Sequence, residues 1–134
     1  MRQEDIFGTA IYTYTRAQAI EDGVLTDMTD WAREVGFVCP VAVTASVWSD
    51  INDISEQSSQ DPRGRAHDLL WMARCAAKKT EPGENVIRFA LDLPTSRTWR
   101  RHDFHGAHER TYKAVAGPGD TGELVITIMQ LNED

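Results

Sequence analysis

Asp61-Pro62-Arg63-Gly64-Arg65-Ala66-His67-Asp68-Leu69-Leu70-Trp71-Met72-Ala73-Arg74-Cys75-Ala76-Ala77-Lys78-Lys79, followed shortly by Val86-Ile87-Arg88-Phe89-Ala90-Leu91-Asp92-Leu93, sets a helix directly before a strand. Asp61-Pro62 combines an N-cap carboxylate with proline at the first helical position, where a missing N–H costs nothing. Ala66, Leu69, Leu70, Ala73, Ala76 and Ala77 then recur at helical spacing. Trp71, Met72 and Cys75 add a second apolar strip, so the spacing predicts a heavily buried helix. Lys78 and Lys79 stand at its C-terminal end, where cations suit the helix dipole. Pro82-Gly83 makes the turn. In the strand, Ile87, Phe89, Leu91 and Leu93 fall on one side and Val86, Arg88, Ala90 and Asp92 on the other, the pattern of a half-buried sheet.

Toward the C-terminus, Arg110 to Ala116 and Leu124 to Leu131 read as two further strands. Gly117-Pro118-Gly119-Asp120-Thr121-Gly122 between them is built from strong breakers, so the two strands should pair as an antiparallel hairpin. That glycine-rich turn leads into a strand and lacks the helix that a phosphate-binding loop needs. Pro94 to His108 is a long, irregular, basic stretch.

Toward the N-terminus the elements shorten. Residues 1–8 read as a frayed start, and Ile11-Tyr12-Thr13-Tyr14 as a short strand. Thr15 stands three residues before Gln18, the spacing of a capping box, and Gly23 ends the helix so begun. A second helix is expected over about Met28 to Val35, with Trp31, Ala32 and Val35 on one face and Gly36 as its stop. Val38 to Val43 is apolar, but Pro40 demotes it from a central strand. Thr44 caps a third helix, with Val47, Trp48, Ile51 and Ile54 on its apolar face and Ser49, Asp50, Asn52 and Asp53 on its wet face. The chain is thus expected to form a single α+β domain over residues 1–134: several short helices, then an antiparallel sheet of about three strands that ends in a C-terminal hairpin. The early strand is available to join that sheet.

The bulk composition agrees. Of the 134 residues, 41% are hydrophobic and 26% charged, which opposes wholesale disorder. Cys39 and Cys75 read as reduced cysteines of a cytosolic protein, because the polar start has no secretory h-region. No apolar run approaches a membrane span. The net charge is −7, with residues 1–63 holding 11 acids and 4 bases and residues 94–113 holding 2 acids and 5 bases. Such acidity opposes binding of nucleic acid by the surface as a whole, without excluding an anion site at the basic stretch.

Ile11 to Gly23, Leu70-Trp71-Met72-Ala73-Arg74, and Gly117-Pro118-Gly119-Asp120 running into Val125 to Met129 resemble a family of short uncharacterised proteins found in bacterial genomes, plasmids and phages. Pro40 to Thr44 and Val47-Trp48 fit the same pattern. The resemblance implies a mobile-element accessory protein, a class that often acts by binding a host protein, and implies no activity and no catalytic residue. The stretch from Arg97 to Arg110 lies outside the shared pattern.

Candidate sites follow from the residues themselves. His102, His105 and His108, with Asp103, have donors for zinc, but Arg100, Arg101 and Arg110 would repel a cation, so no metal is expected. Arg97, Arg100, Arg101, Arg110 and Lys113 around Trp99 and Phe104 suit an anion or a stacked base, against the plainer role of charge balance. Tyr12, Tyr14 and Arg16, with Glu21 and Asp22, make a polar-aromatic group at the first helix, a distant look-alike of the opening of a nucleotide-handling transferase such as an ADP-ribosyltransferase. Neither cysteine has an adjacent base, and Trp31, Trp48 and Trp71 read as core.

No complete catalytic constellation and no cofactor motif is visible. The leading expectation is a non-catalytic binding protein whose acidic helical half engages a protein partner, with Asp50, Asp53, Glu56 and Asp61 as carboxylates that could imitate phosphates. The second is an enzyme or nucleotide-binding domain with its site between the first helix and the basic loop, formed by Tyr12, Tyr14, Arg16, Arg101 and His105. The third is nucleic-acid contact by the basic loop. The sequence leaves the oligomeric state open.

Overall fold

The computed structural model describes residues 14–56, 58–94 and 109–134. Within them, α1 (Arg16–Glu21), β1 (Leu25–Asp27), α2 (Thr29–Glu34), β2 (Val41–Thr44), α3 (Ala45–Asn52) and α4 (Pro62–Lys78) precede β3 (Val86–Asp92), β4 (Glu109–Pro118) and β5 (Leu124–Gln130). The fold is α+β. The strands form one five-stranded mixed sheet in the order β1-β2-β5-β4-β3. The expected C-terminal hairpin is present: β4 and β5 pair antiparallel from Tyr112↔Gln130 to Pro118↔Leu124.

Helix boundaries follow local chemistry. Thr15 Oγ1 accepts from the Gln18 N–H at 3.0 Å while Gln18 Oε1 accepts from the Thr15 N–H at 2.9 Å, which completes the capping box. Thr44 Oγ1 accepts from Val47 N–H, and Asp61 Oδ1 from Gly64 N–H at 2.7 Å. Gly36 stops α2 at φ +108°, and the Phe37 N–H returns to the Ala32 carbonyl.

The helices α2, α3 and α4 cover one face of the sheet. Ala32, Val35, Val47, Ile51, Ala66, Leu69, Leu70 and Ala73 meet Val41, Val43, Phe89, Leu91, Tyr112, Ala114 and Ile128 in one core. The alternation expected over β3 is observed, with Phe89 and Leu91 buried.

Two expectations are corrected. β2 is an interior strand despite Pro40, antiparallel to β1 and parallel to β5. Pro40 stands just ahead of it, where its missing N–H is not needed, and its carbonyl still accepts from Ile126 N–H at 2.9 Å. The sheet therefore has five strands instead of about three. The second apolar strip of α4 is also not buried: Trp71 is 44% exposed and Met72 37%. The helix turns the stripe Ala66, Leu69, Leu70 and Ala73 to the core, and Trp71 projects from the far side. There His67 stacks on it (6.5 Å between centroids) and the Arg74 guanidinium lies 5.6 Å from its ring. The expected strand at Ile11 to Tyr14 falls almost wholly outside the described residues, as does the basic stretch beyond Pro94.

Candidate functional site

Arg65 holds the most constrained polar position. It is 3% exposed, on the same side of α4 as Leu69. Its Nε donates to the Ile51 carbonyl at 2.8 Å, Nη2 to the Asp50 carbonyl at 2.8 Å, and Nη1 to Gln60 Oε1 and the Pro94 carbonyl at 2.6 Å each. The last carbonyls of α3 lie beyond the reach of the regular helix ladder; the Asp53 N–H donates to that of Asp50, and the guanidinium adds donors to those of Asp50 and Ile51 together with a charge that suits the helix C-terminus. Burial pulls its pKa down, while the charge of Asp53 pushes it the other way. The group stays cationic even so.

Asp50 stands beside it. Its Oδ2 accepts from the Tyr112 hydroxyl at 2.9 Å and from Gln130 Nε2 at 3.0 Å, and Arg110 Nη1 is 3.5 Å away. Tyr112 is 1% exposed. Burial first, then the Asp50 carboxylate, raises its pKa far above the ordinary 10.0. A phenol so held is a hydrogen-bond donor, not a base or nucleophile at neutral pH. The cluster therefore acts as a clasp. Arg65 grips Pro94 and Asp50 grips Arg110, the residues near the two ends of the basic stretch.

This geometry also relocates the acidic face. Asp50 was expected on the wet side of α3, but its side chain is only 13% exposed and committed to the clasp. The Asp53 carbonyl lies 3.4 Å from Arg65 Nη2, and Asp61 caps α4. Of this acidic group Asp50 alone is drawn into the clasp, while Glu56 and Asp61 remain exposed.

Arg16 and Tyr14 stand elsewhere. Arg16 Nη1 donates to Thr127 Oγ1 at 2.7 Å and Nη2 to the Ile126 carbonyl at 2.8 Å. Burial lowers its pKa. The Asp120 carboxylate, from the hairpin turn, accepts from the backbone N–H groups of Arg16 (2.7 Å) and Ala17 (3.0 Å), so the chain's own carboxylate occupies the start of α1. Tyr14 donates to Asp22 at 2.7 Å. Arg16 meets β5 at Thr127, which is level with Val115 of β4. The basic stretch rejoins the sheet at Glu109, about 20 Å along that strand. Tyr12, Trp99, Arg100, Arg101 and His105, with His102 and His108, lie outside the described residues.

A depression of about 160 Å³ between β1, α2 and α3 was not anticipated from the sequence. Trp31 and Trp48 form its apolar wall and Asp27 and Asp30 its acidic side, with Thr26 and Met28 completing it. Both indoles are half-buried against the core. The Asp30 side chain is 93% exposed. Trp31 also carries a cation already: the Arg63 guanidinium lies 5.5 Å from its ring and 2.9 Å from Glu34. The signal in the sequence was Trp31 between Asp27, Asp30 and Glu34, but Trp48 joins only through the fold.

Among the described residues no group of three or more His, Cys, Asp or Glu side chains is disposed to hold a metal. Cys39 and Cys75 are free, and burial raises the Cys39 thiol pKa. No described helix is long and apolar enough to cross a membrane. A family model for proteins of unknown function matches residues 4–134. No curated protein and no solved structure matches the chain.

Proposed function

Because the chain belongs to that family of unknown function, DUF6573, which supplies no activity to carry over, we propose from its own geometry that it is a non-catalytic binding protein. It takes a basic segment of a partner protein into the Trp31–Trp48 depression. The observation that carries this reading is the pairing of two indoles with the carboxylates Asp27 and Asp30 around one opening. An aromatic face attracts a guanidinium or ammonium, and neighbouring carboxylates strengthen and orient that attraction. Tryptophan at such a position is also the residue type that most often dominates a protein interface. The acidic surface of the N-terminal half suits steering toward a basic partner. The setting we propose is a phage or plasmid accessory protein acting on a host protein, which rests on the resemblance in Ile11 to Gly23, Leu70 to Arg74 and Gly117 to Asp120.

The internal bonds of Tyr14, Arg16 and Asp120 count against an enzyme built around the first helix, since each of these polar groups already has partners inside the protein. The test is a tryptophan-fluorescence titration with a short arginine-containing peptide and its glutamate counterpart. The arginine peptide is expected to bind and the glutamate peptide not. Trp31→Ala and Asp30→Asn should each weaken binding by about tenfold, and Arg100→Ala/Arg101→Ala should leave it unchanged. Equal binding of the arginine peptide by Trp31→Ala would contradict the proposal. Binding of only the glutamate peptide, lost with the Arg100/Arg101 variant, would favour the basic stretch as an anion site.

A further inference from the structure

Among the described residues β3 is the terminal strand of the sheet, paired on one side only. The Asn85 carbonyl accepts from Ala116 N–H, and residue 85 lies opposite 116 in the continuing register. Antiparallel ladders alternate, so Ile87, Phe89 and Leu91 turn their backbone groups toward β4. Val86, Arg88, Ala90 and Asp92 turn theirs outward. Among the described residues nothing bonds to that outer row. An open edge of this kind is a template for another strand.

The side chains along the same edge are placed unusually. Arg88 lies directly opposite Lys113, and Asp92 directly opposite Glu109. Like charges facing each other across a ladder are unfavourable. None of these four side chains has an ion pair among the described residues. The two cations and the two acids are separated by the uncharged pair Ala90↔Thr111. Beside them, Asp68, Trp71, Met72, Leu91 and Asp92 line a groove of about 300 Å³, with Trp71 and Met72 among the exposed apolar side chains.

We propose that the chain forms a symmetric dimer by antiparallel pairing of β3 with β3 of a second copy, about a two-fold axis at Ala90. The register follows from charge. A dyad at Arg88 sets Arg88 against its own copy, and one at Asp92 sets Asp92 against its own copy. A dyad at Ala90 sets Arg88 against Asp92 of the partner subunit, with outward backbone groups matched to outward backbone groups. Each sheet row then reads Lys113, Arg88, the partner's Asp92, the partner's Glu109. Two like-charged pairs that are unfavourable in one chain become two cations against two acids across the dyad. Phe89 meets the partner's Leu91 on the core side. The groove beside Trp71 and Met72 lies at this same edge, so the two copies of α4 flank the junction. Closed two-fold pairing also consumes the β3 edge of both copies, and leaves at the ends of the joined sheet only the three-residue β1.

The test is sedimentation of the full chain over a range of concentration, with four variants. The native chain and the charge exchange Arg88→Asp/Asp92→Arg should be dimeric. Arg88→Asp alone and Asp92→Arg alone should each raise the dimer dissociation constant by about tenfold or more, since each sets like charges across the dyad. Ala90→Pro removes an outward N–H that β4 does not use, and should give a folded monomer by circular dichroism. A native chain that stays monomeric at about 100 μM, a concentration at which a micromolar dimer is nearly complete, overturns the proposal. So do single reversals that dimerise as the native chain does, or a double exchange that fails to restore pairing.

Discussion

Arg65 decides the packing at the end of α3, and its effect is measurable at a single position. Arg65→Met removes the donor from the Asp50, Ile51 and Pro94 carbonyls together. It should lower unfolding free energy by about 3 kcal/mol in urea, and Arg65→Lys should recover little of it, because an ammonium cannot reproduce the planar fork. Tyr112 gives a pH signature. Its folded pKa is raised above the ordinary 10.0, so the folded state holds the phenolic proton where the unfolded state releases it. That contribution is full below about pH 10 and is lost as the pH rises further. Thermal melts should show stability falling above about pH 10, with a shallower fall in Tyr112→Phe. Gly36 makes a third case. At φ +108° a Cβ is strained, and it would also run into the Arg74 side chain, whereas at Gly23 (φ +79°) nothing stands within 4 Å. Gly36→Ala should therefore destabilise more than Gly23→Ala, by about 1 kcal/mol beyond the shared backbone strain. At this scale the sequence was legible where chemistry is local: Thr15, Thr44 and Asp61 announce their caps within three residues. It was opaque for Asp120, which serves α1 from 104 residues away. Arg65 left one trace, its position on the stripe four residues before Leu69, but a charged residue there reads as solvated until Ile51 and Pro94 are brought to it.

The helices and the long strands followed the sequence, and the short strands β1 and β2 departed from it. The 17-residue α4, β3 and the β4–β5 hairpin form where the sequence places them, because their periodicity spans several repeats, although the Trp71–Met72 strip of α4 is exposed. β1 has three residues and β2 four, too few for a pattern. The proline at 40 marks where β2 begins, not where it is disqualified. Its partner β5 lies parallel, a relation that no local signal carries. α1, with six residues, is below the length at which a helix is stable by itself. Its order should then depend on the hairpin turn. Asp120→Ala is expected to cost about 1 kcal/mol and to speed amide hydrogen exchange in α1 selectively, with α4 unaffected. Uniform exchange across both helices would show that α1 does not rest on this carboxylate.

For the whole molecule, the acidic half and the basic stretch looked in sequence like two opposed candidate surfaces, and the fold sorts the first of them. Asp50 turns inward to Tyr112 and Gln130, while Asp27 and Asp30 come to stand beside Trp31 and Trp48. Which acids face outward depends on how α2 and α3 sit on the sheet, so composition could locate the charge only to the half of the chain. The proposed contact is a partner's basic side chain between those two indoles. The chain has four tryptophans, and each indole N–H gives its own signal in a proton–nitrogen correlation spectrum. Titration with an arginine-containing peptide should move the Trp31 and Trp48 signals together and leave Trp71 and Trp99 in place. Movement confined to Trp99, or no movement at Trp31 and Trp48 at saturating peptide, would contradict binding at this depression.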